Sequence, residues 1–124
     1  ALNDGIEPAN SNDHAIVRHT WWDHRGTAEW VQYELDRLHS VSSVSVYWWD
    51  DRPAGGQCAV PASWRLLYRN MEGQWRPIPG DIRYGTQKDQ FNDVTFEPIQ
   101  TDALRIEVRL AESYSGGILE WKVK

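Results

Sequence analysis

The run Leu104-Arg105-Ile106-Glu107-Val108-Arg109-Leu110 alternates apolar and charged residues without a break. In an extended chain successive side chains point to opposite faces, so this pattern specifies a strand with one buried and one solvated face. The same period of two recurs outward from it. Val31, Tyr33 and Leu35 alternate with Gln32 and Glu34, and Val44, Val46 and Trp48 with Ser45 and Tyr47. Trp64, Leu66 and Tyr68 repeat it, as do Val94 with Phe96, and Leu119, Trp121 and Val123. Turn formers separate these runs: Pro53-Ala54-Gly55-Gly56, Asn70 to Gly73, Pro77 to Asp81 and Ser115-Gly116-Gly117. No window of helical length carries an apolar stripe at three- and four-residue spacing. The reading is an all-β chain with little helix, folded as a sandwich or barrel of antiparallel strands.

The 124 residues suit one domain, 1–124, with a core that needs no disulfide. Cys58 is the sole cysteine, so no internal disulfide can form. The net charge of -5 argues against a nucleic-acid partner, whose phosphates are bound chiefly by Lys and Arg. No stretch approaches the ~20 apolar residues of a membrane-spanning helix. A start at Ala1 fits a mature or excised domain, expected to be monomeric in isolation. The polar stretch from Asn3 to Thr20 is too hydrophilic for core, and a structureless segment of that length calls for something to hold it, such as a metal.

The order of these segments resembles discoidin-like (coagulation factor type C) domains. The carriers are Ala1-Leu2-Asn3-Asp4-Gly5, Thr20-Trp21-Trp22, Glu29 to Leu35, Val41 to Tyr47, Trp64 to Tyr68 with Trp75 to Ile78, Ala103 to Ile106, and Gly117 to Val123. Within that group the chain is similar to family 32-like carbohydrate-binding modules. It also looks like the C-terminal accessory domain of bacterial glycoside hydrolases of the β-L-arabinofuranosidase type. The resemblance implies a galactose-binding-domain-like jelly-roll of about eight strands and a non-catalytic, carbohydrate-binding role. It further implies a neighbouring catalytic domain in the parent enzyme and a secreted, periplasmic or cell-surface bacterial setting.

The resemblance also implies a structural calcium, with Asp4, Thr20 and Glu120 at matching positions. Asn3, Asn10, Asn12 or Asp13 could complete the 6–8 oxygen ligands that calcium takes. The family's tight ligand spacing is interrupted here: Ile6 and Ala9 stand where an Asn and a Thr are usual, and residues 7–19 form an insertion. The alternative is that Asp4-Gly5 is a plain turn and Glu120 a solvated strand residue.

A sugar presents a C–H face that packs on an aromatic ring, and hydroxyls that need directional partners. The resemblance places these groups in loops at one end of the sandwich, at Trp22, Asp23 and His24, at Asp51 and Arg52, and at Tyr114. Trp49 faces away from Val44 and Val46 and is open to either a ligand or a packing role. Trp48 is assigned to the core, and Trp21, Trp30, Trp64, Trp75 and Trp121 to core or sheet packing. Arg52 could instead merely pair with Asp50 or Asp51.

Catalysis has little support. His14, His19 and His24 recur every fifth residue, which shares a face of neither helix nor strand. No nucleophile elbow, HExxH or phosphate loop is present. Two readings therefore stand: a carbohydrate-binding module, or an accessory domain that packs on a catalytic neighbour without binding sugar. Convergence of Trp22, Trp49 and Tyr114 with Arg52 and His24 at a loop end favours the first; a flat patch on a sheet face favours the second.

Overall fold

A computed structural model describes residues 10–11, 19–22 and 24–124, and the predicted Asp4, Asn12, Asp13 and Asp23 lie outside that set. Among these residues six strands form one antiparallel sheet: β1 (His19–Thr20), β2 (Ala28–Trp49), β3 (Ser63–Arg69), β4 (Trp75–Pro77), β5 (Phe91–Arg109) and β6 (Gly117–Val123), in the order β1-β6-β2-β5-β3-β4. Among the described residues the single helical element is a 3-10 turn, Arg52–Ala54.

The sheet becomes a sandwich because β2 and β5 are long and bent. They pair from Ala28↔Arg109 to Tyr47↔Phe91, with register shifts between Glu34 and His39 and between Val41 and Ser43. The first half of β2 and the second half of β5 lie with β3 and β4; the remaining halves lie with β6 and β1. Six strands thus supply the eight strand segments expected of the fold. Asp36-Arg37-Leu38 interrupts the alternation at the bend and makes each long strand read as two.

The two layers close on one apolar cluster that holds Val44, Val46 and Trp48 of β2, Trp64 and Leu66 of β3, Leu104, Ile106 and Val108 of β5, and Ile118 and Trp121 of β6. Aromatic pairs bridge the layers edge to face, Trp48 with Trp64 at 5.4 Å and Tyr33 with Trp121 at 5.5 Å. Burying side chains of this size contributes roughly 1.5–3 kcal/mol each before entropy is counted.

One expectation needs correction, and one open choice is settled. Leu119 does not share a face with Trp121. Tyr47 pairs with Glu120 but Trp48 with Ile118, so the extra residue in β6 sends Leu119 into a second cluster with Tyr47, Trp49 and Cys58. Of the two roles open to Trp30, core or sheet packing, the structure shows the second: it is 56% exposed, on the outer face with Gln32 and Glu34. There the Arg105 guanidinium lies 4.5 Å from the Trp30 ring and 4.3 Å from the Trp75 ring, which supports both indoles without burying them.

Candidate functional site

Both ends of β2 and both ends of β5 reach the same end of the sandwich, so the loops flanking them meet there. Trp21 N donates to Gly116 O (2.9 Å), Ser115 N to Gln57 O (2.8 Å), Ala59 N to Ser115 O (3.1 Å) and Gly26 N to Tyr114 O (3.1 Å). These bonds tie segments 20–27, 50–60 and 111–117 into one platform. β1 lies tight on β6, since a Cβ on Gly117 would come within 2.5 Å of the His19 carbonyl oxygen.

A cavity of about 340 Å³ opens in this platform between Thr20, Trp22, Trp49, Asp51, Gly56, Gln57 and Cys58. Trp22 stands 54% exposed at its rim, with the Arg25 guanidinium 5.0 Å from its ring. Trp49 is fully buried and belongs to the cavity's packed wall, so it shapes the site rather than reaching out from it.

Asp51 is held by its own loop. Its Oδ1 accepts from Cys58 N at 2.8 Å and its carbonyl from Gly56 N at 2.9 Å. A Cβ on Gly56 would fall 2.0 Å from the Asp51 carboxyl carbon, so the loop closes only over glycine.

Arg52 is fixed by the residue two before it. Its Nη2 donates to Asp50 Oδ2 at 2.6 Å and its Nε to both Asp50 oxygens at 3.0 Å. Asp50 is fully buried and also accepts from the Arg52 and Val60 amides. Burial opposes ionisation of Asp50, but the hydrogen bonds and charge of Arg52 outweigh it and hold the carboxyl below its ordinary value. The Asp50 hydrogen bond in turn raises Arg52. A guanidinium has five N–H donors, and the Asp50 contacts engage Nε and one Nη2 donor, which leaves the outer ones for other partners. Its Cζ lies 5.5 Å from the Tyr114 ring.

The structure therefore gathers Trp22, Trp49 and Asp51 around the cavity and sets Arg52 against Tyr114 beside the same loops. His24 is directed instead to Glu29, through its Nδ1. Gln57, Gly56 and Arg25 were not foreseen; nothing in a lone Gln or Gly marks a cavity wall, because the closure of loop 50–58 over Asp51 creates it.

Two of the expected calcium positions are visible. Thr20 pairs with Gly117, and Glu120 follows three residues later on β6, fully buried. Glu120 is thus not a solvated strand residue. A buried carboxylate persists where it is hydrogen-bonded, paired or bound to a cation, and a carboxylate with a threonine oxygen is a donor set that suits a hard cation. Among the described residues no group of three His, Cys, Asp or Glu side chains could hold a metal. Asp4 lies outside them.

No family model matches the chain, and no curated protein does. Solved structures do match it. The fold is shared with a structure of the Streptococcus pneumoniae beta-galactosidase BgaA, at 18% identity over 98% of this chain and 82% of that one, with a TM-score of 0.77. It is shared also with chitosan-binding module 1 of a Paenibacillus chitosanase/glucanase, at 18% identity, 85% and 75% coverage and a TM-score of 0.62. A family 32 carbohydrate-binding module from Streptococcus pneumoniae EndoD gives 13% identity, 86% and 74% coverage and a TM-score of 0.61. At these identities the likeness is one of fold alone, an antiparallel β-sandwich that these carbohydrate-binding modules also adopt.

Proposed function

We propose that this chain is a non-catalytic carbohydrate-binding module that holds an attached glycoside hydrolase near its glycan, and that it binds sugar at the loop end. The observation that carries this reading is the exposed Trp22 at the rim of a cavity whose wall also presents Asp51 and Gln57. An indole offers a surface for the C–H face of a pyranose, and the polar groups match its hydroxyls. The outer N–H groups of Arg52, beside Tyr114, add donors to the same surface. Carbohydrate binding by structures of the same fold supports the reading. Such a module raises the local concentration of its enzyme on the substrate without doing chemistry. A role of this kind places the parent protein outside the bacterial cytoplasm, where polysaccharides are.

Calcium fits this reading as a structural ion held by Asp4, Thr20 and Glu120, where it would neutralise the Glu120 carboxylate and anchor the first segment to the last strand. It is not part of sugar recognition.

The second reading, an accessory domain that packs on its neighbour, is favoured by one feature: the outer-face group of Trp30, Arg105 and Trp75, residue types enriched at interfaces. The two separate experimentally. Calorimetric titration of the isolated chain against plant and host oligosaccharides should detect binding, and Trp22→Ala should weaken it about tenfold or more with an unchanged melting temperature. A parent chain that binds nothing on the panel hands the function to the packing reading.

A further inference from the structure

A cavity of about 740 Å³ lies away from the loop end. It opens where β2 bends between Glu34 and His39, at the opposite end of the sandwich, between the outer edge of the first half of β2 and the end of β6. Its size falls in the roughly 300–1,000 Å³ range of small-molecule sites.

Its described walls divide by chemistry. Tyr33, Leu35 and Trp121 form the apolar part, with the Tyr33 ring packed edge to face on Trp121. The polar rim is set by Asp36, His39 and Ser40. Two other polar side chains of the lining are engaged on the outer sheet faces: Glu34 accepts from Arg69 at 2.8 Å, and the Lys122 amine sits 4.4 Å from the Phe91 ring. His39 Nε2 and Asp36 Oδ1 are 2.8 Å apart, so the rim's carboxylate and imidazole hold each other in place. Lys124, whose backbone is fixed by hydrogen bonds with Ser42 and Ser43, also lines the cavity.

We infer that this bend-end cavity is a second ligand site, and that it takes a neutral sugar of one or two rings. Three features point to that class. The rim offers donors and acceptors together, which hydroxyls need and a purely apolar ligand does not. Its charged lining side chains come two of each sign, Glu34 and Asp36 against Lys122 and Lys124, so they leave no net charge to select an ionic ligand. The half-buried Tyr33 ring in its wall suits a ring with a C–H face. The inference shares with the loop-end reading only the class of ligand, and rests on different residues. A module with a site at each end can bridge two glycan strands, and the second contact then forms at high effective concentration.

The test is a titration of the isotopically labelled chain, followed by amide and indole NMR signals, with D-galactose, N-acetyl-D-glucosamine, cellobiose and D-galacturonate as probes. A neutral sugar should produce saturable shifts at Ser40, Val41 and the Trp121 indole. Those shifts should survive Trp22→Ala and weaken about tenfold or more in Asp36→Ala and His39→Ala, both of which alter exposed or half-exposed side chains. The inference is overturned if shifts appear only at the loop end, if Trp22→Ala abolishes those at the bend, or if galacturonate is preferred there. Shifts at the bend without any at the loops would sink the loop-end reading and leave this one standing.

Discussion

Arg52 grips Asp50 through three N–H···O contacts of 2.6–3.0 Å, and the two differ sharply in exposure: the carboxylate is at 0% and the guanidinium side chain at 41%. The loop arginine expected to touch ligand is therefore also the counter-ion of a buried charge. Arg52→Ala should lower stability by about 2 kcal/mol. That is less than the roughly 3–5 kcal/mol for breaking a fully buried pair, because water can follow the departing side chain. Asp50 is held below its ordinary value of 3.8, so its contribution is complete above that value and is lost as pH falls through the lower folded value. Urea melts of parent and variant should accordingly differ most near neutrality and converge in acid. A gap that does not change with pH would assign the loss to packing rather than to charge.

Gly56→Ala should disturb Asp51 specifically. The added methyl would meet the carboxylate 2.0 Å away, displace it and break its bond to the Cys58 amide. One lost hydrogen bond with a half-buried donor left behind costs about 1–3 kcal/mol. In an Asp51→Ala background the methyl has nothing to displace, so Gly56→Ala should there cost far less. A double-mutant cycle measured by denaturation decides it, and additive effects would rule out the contact.

The period of two told which residues enter the core, because a half-buried sheet writes its inner face into every second position. Val44, Val46, Trp48, Trp64, Leu66, Leu104, Ile106 and Val108 all follow it inward. The same period puts Trp30 on the outer face with Gln32 and Glu34, where it packs on the sheet rather than in the core. A cation between two indoles, which stabilises exposed rings, leaves no mark in local sequence. The bulge at Leu119 was equally hidden, since it depends on the partner strand. For the site, the loops were legible as loops, and Trp22, Asp51, Arg52 and Tyr114 do gather at one end. What the sequence did not disclose is how far each is already committed: Trp49 to a wall, Asp51 to its loop, Arg52 to Asp50 and His24 to Glu29.

If calcium anchors residue 4 to Thr20 and Glu120, the ion stabilises the folded chain by mass action, because the unfolded chain has no assembled site. A chelator should lower the melting temperature, and excess calcium should restore it. Glu120→Gln should abolish the response to both while leaving a folded protein of lower stability. A midpoint indifferent to chelator and calcium would remove the metal from the account of Glu120.

His19 supplies a pH dependence of a different sign of cause. Its ring packs edge to face on Trp21 at 5.2 Å, its Nε2 is buried with no hydrogen-bond partner among the described residues, and burial lowers its pKa from 6.5. Folded His19 thus resists the proton that the unfolded chain accepts. Above the unfolded value both states are neutral and nothing is lost; as pH falls below 6.5 only the unfolded state gains the proton, and stability declines until the folded value is reached. Among the described residues β1 has two residues, held to β6 through His19↔Ile118 and Thr20↔Gly117, so little described pairing holds it as that occurs. The melting temperature of the parent should fall more steeply than that of His19→Phe between about pH 7 and pH 5, since phenylalanine keeps the ring contact and cannot titrate. Amide exchange at Ile118 should accelerate over the same interval in the parent alone. Parallel slopes for the two proteins would show that other groups carry the acid sensitivity and that His19 is protonated as readily folded as unfolded.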